Sequence, residues 1–110
     1  MYRRGAVWTA QFPNVGRKPA VILSDQTVTL ALGPIVARIT SVERARSIPT
    51  AVVLEPGEVD GLPERSYVLC HDLVTVQTEE LVAHMGPVPS ERMSEIEDRL
   101  AFVFGVGHWP

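Results

Sequence analysis

The chain has 110 residues, 45% hydrophobic and 21% charged, and its ten Lys and Arg against thirteen Asp and Glu leave a net charge of −3. Such a composition fits one globular domain over residues 1–110, is too apolar for disorder, and contains no run near the roughly 20 apolar residues of a membrane span. A single cysteine, Cys70, excludes an internal disulfide or a thiolate metal cluster, so a cytoplasmic protein with no metal and no cofactor is expected.

The charge is divided along the chain. Residues 1–46 hold seven cations and two anions (+5), whereas residues 47–110 hold three cations and eleven anions (−8). The first half therefore suits a polyanionic partner although the whole chain is acidic.

In chain order, Val7 to Phe12 reads as a strand closed by Pro13-Asn14, and Ala20 to Leu23 as a short apolar strand. Ile35 to Thr40 is rich in β-branched residues and opens at Gly33-Pro34. Thr50 to Leu54 follows Pro49 and stops at Pro56-Gly57, and two further strands, Ser66 to Cys70 and Leu73 to Val76, bracket His71-Asp72. The stretches 13–17, 25–33 and 55–65 read as loops. Thr78 is placed to cap a brief helical turn through Leu81. After Pro89, a helix is predicted with Ser90 as its cap, Glu91 in its first turn, and Met93, Ile96, Leu100, Val103 and Phe104 on one apolar face, ending at Gly105. Glu95, Glu97, Asp98 and Arg99 lie mostly off that stripe and form a solvated face. Closely spaced short strands with one terminal helix indicate a mainly β fold, a small barrel with a C-terminal helix.

Within this frame Gly16-Arg17-Lys18-Pro19-Ala20-Val21-Ile22-Leu23-Ser24 stands out, because two adjacent cations sit against the start of an apolar strand. They form either a solvated strand end or an anion site. Cys70, following Val68-Leu69, reads as a core residue, and Trp8 on an apolar strand does too. Trp8 and Trp109 are also possible base-stacking platforms, while His84 and His108 have no metal-ligand spacing with His71.

Arg4-Gly5-Ala6-Val7-Trp8, Arg17 to Ser24, Ile39-Thr40-Ser41, Ile48-Pro49-Thr50, Gly61-Leu62-Pro63 and the terminal helix, in that order and spacing, resemble the MazF/PemK toxin endoribonucleases over nearly the whole chain. The resemblance implies an SH3-like β-barrel of the CcdB/PemK type, a homodimer, and metal-independent cleavage of single-stranded RNA by 2′-hydroxyl attack. It also implies a cognate antitoxin whose acidic, flexible tail occupies the RNA groove. The family's catalytic arginine precedes the proline, and that position is Lys18 here, with Arg17 one residue earlier. Either cation is a candidate for the developing phosphate charge, and strand alternation sets the two on opposite faces once the strand has begun. Thr40 matches the threonine that partners the catalytic arginine, and Ser41 follows it. Ser41, Arg38, His71 and Asp72 are candidate substrate contacts, with His71-Asp72 standing where many relatives carry Asp-Gln. His71 is either a proton-transfer group or a polar residue at a strand junction. The acid that many relatives carry before the basic-Pro motif is missing from Phe12 to Gly16. The alternative is a CcdB-like or degenerate toxin that binds gyrase, RNA or an antitoxin without cutting.

Overall fold

The computed structural model describes residues 2–107, so His108 and Trp109 lie outside the described residues. Six strands, β1 (Ala6–Phe12), β2 (Gly16–Ile22), β3 (Ile35–Thr40), β4 (Ala51–Leu54), β5 (Ser66–Thr75) and β6 (Leu81–Pro87), form one antiparallel sheet in the order β4-β5-β3-β2-β1-β6. Two α-helices, α1 (Gln26–Leu32) and α2 (Ser90–Phe104), and short 3₁₀ turns at Glu43–Ser47 and Thr78–Glu80 complete the chain. None of these helices is long and apolar enough to cross a membrane.

The β1–β2 hairpin turns on Asn14 at φ 63° and Gly16 at φ 90°, the left-handed region that Asn and Gly enter most readily. One face of the sheet buries Val7, Val21, Ala37, Ile39, Val52, Leu54, Val68 and Cys70 against Ile96 of α2, with Met93, Leu100 and Val103 packed alongside. The opposite face of β1, β2 and β3 buries Ala6, Trp8, Ala10, Phe12, Ala20, Ile22 and Val36 with Val76 and Leu81. Burial on both faces explains why these strands read as continuous apolar runs rather than as alternating ones.

The edges β4 and β6 do not pair, but the connection between β4 and β5 spans the gap between them. Val59 and Leu62 from this connection enter the main core. Gly61, at φ 83°, lies so close to β6 that a Cβ there would meet Met85 Cε at 2.9 Å. The barrel is thus completed by a segment that the sequence marks only as a loop.

Several expectations change. Residues 25–33 form α1 instead of a loop: Asp25 caps it by accepting from the Thr27 N–H at 3.0 Å, and Gly33 ends it at φ 99°. The two strands expected around His71-Asp72 are one strand, β5, with a bulge where its pairing with β3 jumps from Ala37–Leu73 to Ile39–Val68. Leu81 begins β6 instead of ending a helical turn, and the turn before it is capped by Gln77 and Glu80, with Thr78 its first residue. Ser90 is the first helical residue of α2 and Pro89 its cap position, while Phe104 stands 60% exposed off the helix's packed face.

Candidate functional site

β2 and β3 pair only through Ala20–Arg38, Val21–Ala37 and Ile22–Val36, and they part where Pro19 enters. Without an N–H, proline has no donor for a further rung. A groove of about 470 Å³ opens at this fork. Arg17, Lys18 and Pro19 line it from β2, Arg38 to Val42 from β3 and its extension, Gly61 to Glu64 from the β4–β5 connection, and Met85 from β6.

Strand alternation sorts the cations. Lys18 shares its face with Ala20 and Ile22, whereas Arg17 shares the opposite face with Pro19 and Val21. Because Ala20 faces Arg38 across the ladder, Lys18 on the Ala20 face of β2 and Thr40 on the Arg38 face of β3 lie on the same side of the sheet. Lys18, Thr40 and Arg38 therefore stand on one side of the fork, and Arg17 enters the groove from the other. Both Arg17 and Lys18 are exposed, and neither has an ion-pair partner among the described residues.

Thr40 is half-buried, and its Oγ1 accepts from the Val42 backbone N–H at 3.2 Å. That bond fixes the oxygen and leaves the hydroxyl proton free to donate. Arg38 is held twice: its Nε donates to Asp72 Oδ2 at 2.7 Å, and its guanidinium lies 5.9 Å from the centre of the Phe12 ring.

Of the seven residues singled out in the sequence, five line the groove: Arg17, Lys18, Arg38, Thr40 and Ser41. Asp72 reaches it only through Arg38, because the β5 bulge turns that carboxylate toward β3. His71, the next residue back along the bulge, is exposed toward β4, where its Nδ1 bonds Thr50 Oγ1. Trp8 is 8% exposed and Cys70 is fully buried, as expected of core residues. Burial pushes the Cys70 thiol up to about 11, so it carries no thiolate at neutral pH. Among the described residues no three His, Cys, Asp or Glu side chains come together to hold a metal ion.

The family model of the PemK-like, MazF-like toxin of type II toxin-antitoxin systems matches residues 3–104. The chain belongs to that family. Among its relatives, the probable endoribonuclease MazF5 of Mycobacterium tuberculosis is 35% identical over 94 residues, 84% of each chain. An endoribonuclease solved in complex with its cognate antitoxin, from a mycobacterial species, superposes with a TM-score of 0.81 at 29% identity over 98% of both chains. The M. tuberculosis toxin MazF-mt6 superposes with a TM-score of 0.78 over 94% of this chain and 99% of that one, a likeness of fold at 24% identity. The expected CcdB/PemK-like architecture is thus present, and the match is to the PemK/MazF branch.

Against that family, the toxin's groove has an acid that sequence reasoning passed over. Glu64 lines it from the β4–β5 connection, and its carboxylate has no ion-pair partner among the described residues. The neighbouring motif Gly61-Leu62-Pro63 was visible in the sequence without a role. Its role is to carry the chain across to β6 and so form one wall of the groove.

Proposed function

We propose that this toxin is an endoribonuclease that cuts single-stranded RNA by attack of a ribose 2′-oxygen, with its own side chains moving the protons. The observation that carries this is the fork itself, where two cations without ion-pair partners among the described residues share a groove with a hydroxyl oriented by a backbone N–H. In the reaction Glu64 takes the 2′-hydroxyl proton, the 2′-oxygen bonds to phosphorus, and the bond from phosphorus to the 5′-oxygen breaks. Lys18 gives a proton to that leaving oxygen and, with the Thr40 hydroxyl, stabilises the charge that builds on the non-bridging oxygens. Arg17 steers the backbone from the opposite side, and Ser41 extends the contact along β3. The products are a 2′,3′-cyclic phosphate and a 5′-hydroxyl.

The partners follow from the same groove. A row of cations suits both RNA and the acidic, flexible tail of a cognate antitoxin, which would cover it as a phosphate mimic. A homodimer and a cytoplasmic location complete the proposal, supported by membership of the family and by the single, buried thiol. The test is to incubate the purified toxin with a long RNA in excess EDTA and map the cut ends, beside Lys18→Ala, Arg17→Ala and Thr40→Ala. Cleavage lost in Lys18→Ala, weakened about 10²-fold or more in Thr40→Ala, and retained with raised KM in Arg17→Ala is expected. Intact RNA with the parent protein would overturn the proposal in favour of a toxin that binds without cutting.

A further inference from the structure

Arg38 is the cation of the groove that the reaction above leaves unused. It follows Ala37 on β3 and stands two residues before Thr40, so the two side chains share a face of the strand. Two strand residues span about 6.6 Å, which is on the order of one nucleotide step along an extended single strand. Across the ladder Arg38 faces Ala20, a small and fully buried residue of the core beside Phe12. Asp72 takes only the Nε edge of Arg38, and no bond engages its two terminal nitrogens among the described residues. Those nitrogens are the pair that grips two phosphate oxygens at once.

We propose that Arg38 binds the phosphate next to the scissile one, and that Asp72 is its positioning residue and makes no contact with substrate. This rests on the single-stranded nucleic acid assigned to the groove above and adds a second phosphate subsite one strand step from Thr40. Asp72 is unsuited to touch the ligand itself, because a carboxylate beside a phosphate repels it. Bonded to Nε and opposed by the Phe12 ring, it instead fixes the guanidinium in one orientation before ligand arrives. Preorganising one long side chain in this way strengthens binding by about fivefold.

The experiment measures fluorescence anisotropy of a short, labelled single-stranded DNA oligonucleotide across a salt series. This ligand has no 2′-hydroxyl, so binding is read whether or not the toxin cuts RNA. Arg38→Gln, which keeps part of the stem over Phe12, is expected to reduce the slope of log K against log salt by about 0.7, the value of one phosphate on a single strand. Asp72→Ala is expected to weaken binding about fivefold, with Asp72→Asn restoring most of the loss and Asp72→Ala without effect in the Arg38→Gln background. An unchanged slope in Arg38→Gln, or no binding by the parent, would overturn the subsite. Tighter binding by Asp72→Ala, or an equal effect in both backgrounds, would overturn the positioning role. If the couplings appear while RNA stays intact, the cleavage proposal fails and the subsite stands.

Discussion

Lysine at position 18 changes what the cation of a basic-Pro motif can do. A guanidinium stays protonated at any pH a protein meets, so it can stabilise charge but is a poor acid. An ammonium has three rotatable donors and can release one proton, so Lys18 can serve the leaving oxygen as well as the phosphorane charge. Thr40, on the same side of the fork, already accepts from the Val42 N–H and still has its proton to give. His71 has no comparable place. Its ring is tied to Thr50 on the β4 side, and it is absent from the groove lining. His71→Asn is therefore expected to leave kcat/KM within about twofold and the pH profile of cleavage superimposable on the parent's. A displaced limb in that profile would return His71 to the proton-transfer chemistry.

The β4–β5 connection and α2 are clamped together by Arg92. Its Nε donates to Glu58 Oε1 at 3.0 Å, while the Glu55 backbone N–H donates to the same oxygen at 2.6 Å. The Glu55 N–H first, and then the Arg92 guanidinium, hold the Glu58 carboxyl below its usual 4.5. A folded-state value lower than the unfolded one stabilises the protein above the unfolded value and ceases to do so as pH falls through the folded one. Urea midpoints are therefore expected to drop for the parent as pH falls below 4.5, whereas Glu58→Gln starts lower at neutral pH and loses less, so that the two curves converge in acid. Parallel curves would show that the clamp does not titrate. This clamp was not legible in the sequence, since Glu58 and Arg92 are distant along the chain and only the fold brings them together. Local signals fared better. The strands from Val7, from Ile35 and from Thr50 were readable from apolar and β-branched runs bounded by Pro and Gly, and the helix that ends at Gly105 from its periodicity. Asp25 and Gly33 also carried the start and stop of α1, but the β-branched run Thr27-Val28-Thr29 argues against a helix, and the residue that α1 buries is the polar Thr29 while Leu30 and Leu32 are exposed. In the site, Arg17 and Lys18 drew notice in the sequence as adjacent cations at the start of an apolar strand, whereas Thr40 was singled out only by the resemblance to the MazF/PemK family. The Arg38–Asp72 pair was not legible, because it depends on a bulge that re-aims one carboxylate, and a bulge has no signature in the β5 sequence.

At the scale of the whole molecule, a net charge of −3 would turn a polyanion away if charge acted only as a sum. It does not, because screening in physiological salt confines each charge to about 8 Å. β1, β2 and β3 all fall within residues 1–46, the segment of charge +5, and the fork between β2 and β3 presents its cations together. The acids of α2, Glu91, Glu95, Glu97 and Asp98, sit on a helix that packs on β4 and β5 instead. An incoming chain of negative charge thus meets the local field of the fork before it senses the average. The same field cannot distinguish phosphate from carboxylate at long range, so any flexible acidic polymer should compete for it. Poly-glutamate is expected to inhibit RNA cleavage by raising KM with kcat unchanged, and the inhibition should weaken steeply as salt rises, while poly-lysine of equal length, given its affinity for RNA, is controlled by pre-titration against substrate. Lys18→Ala is unsuitable as the probe because it removes the reaction itself, but Arg17→Ala retains cleavage and should lose part of the sensitivity to poly-glutamate. Inhibition that lowers kcat alone, or that ignores salt, would place the polymer elsewhere on the toxin and remove the electrostatic argument for an acidic tail in the groove.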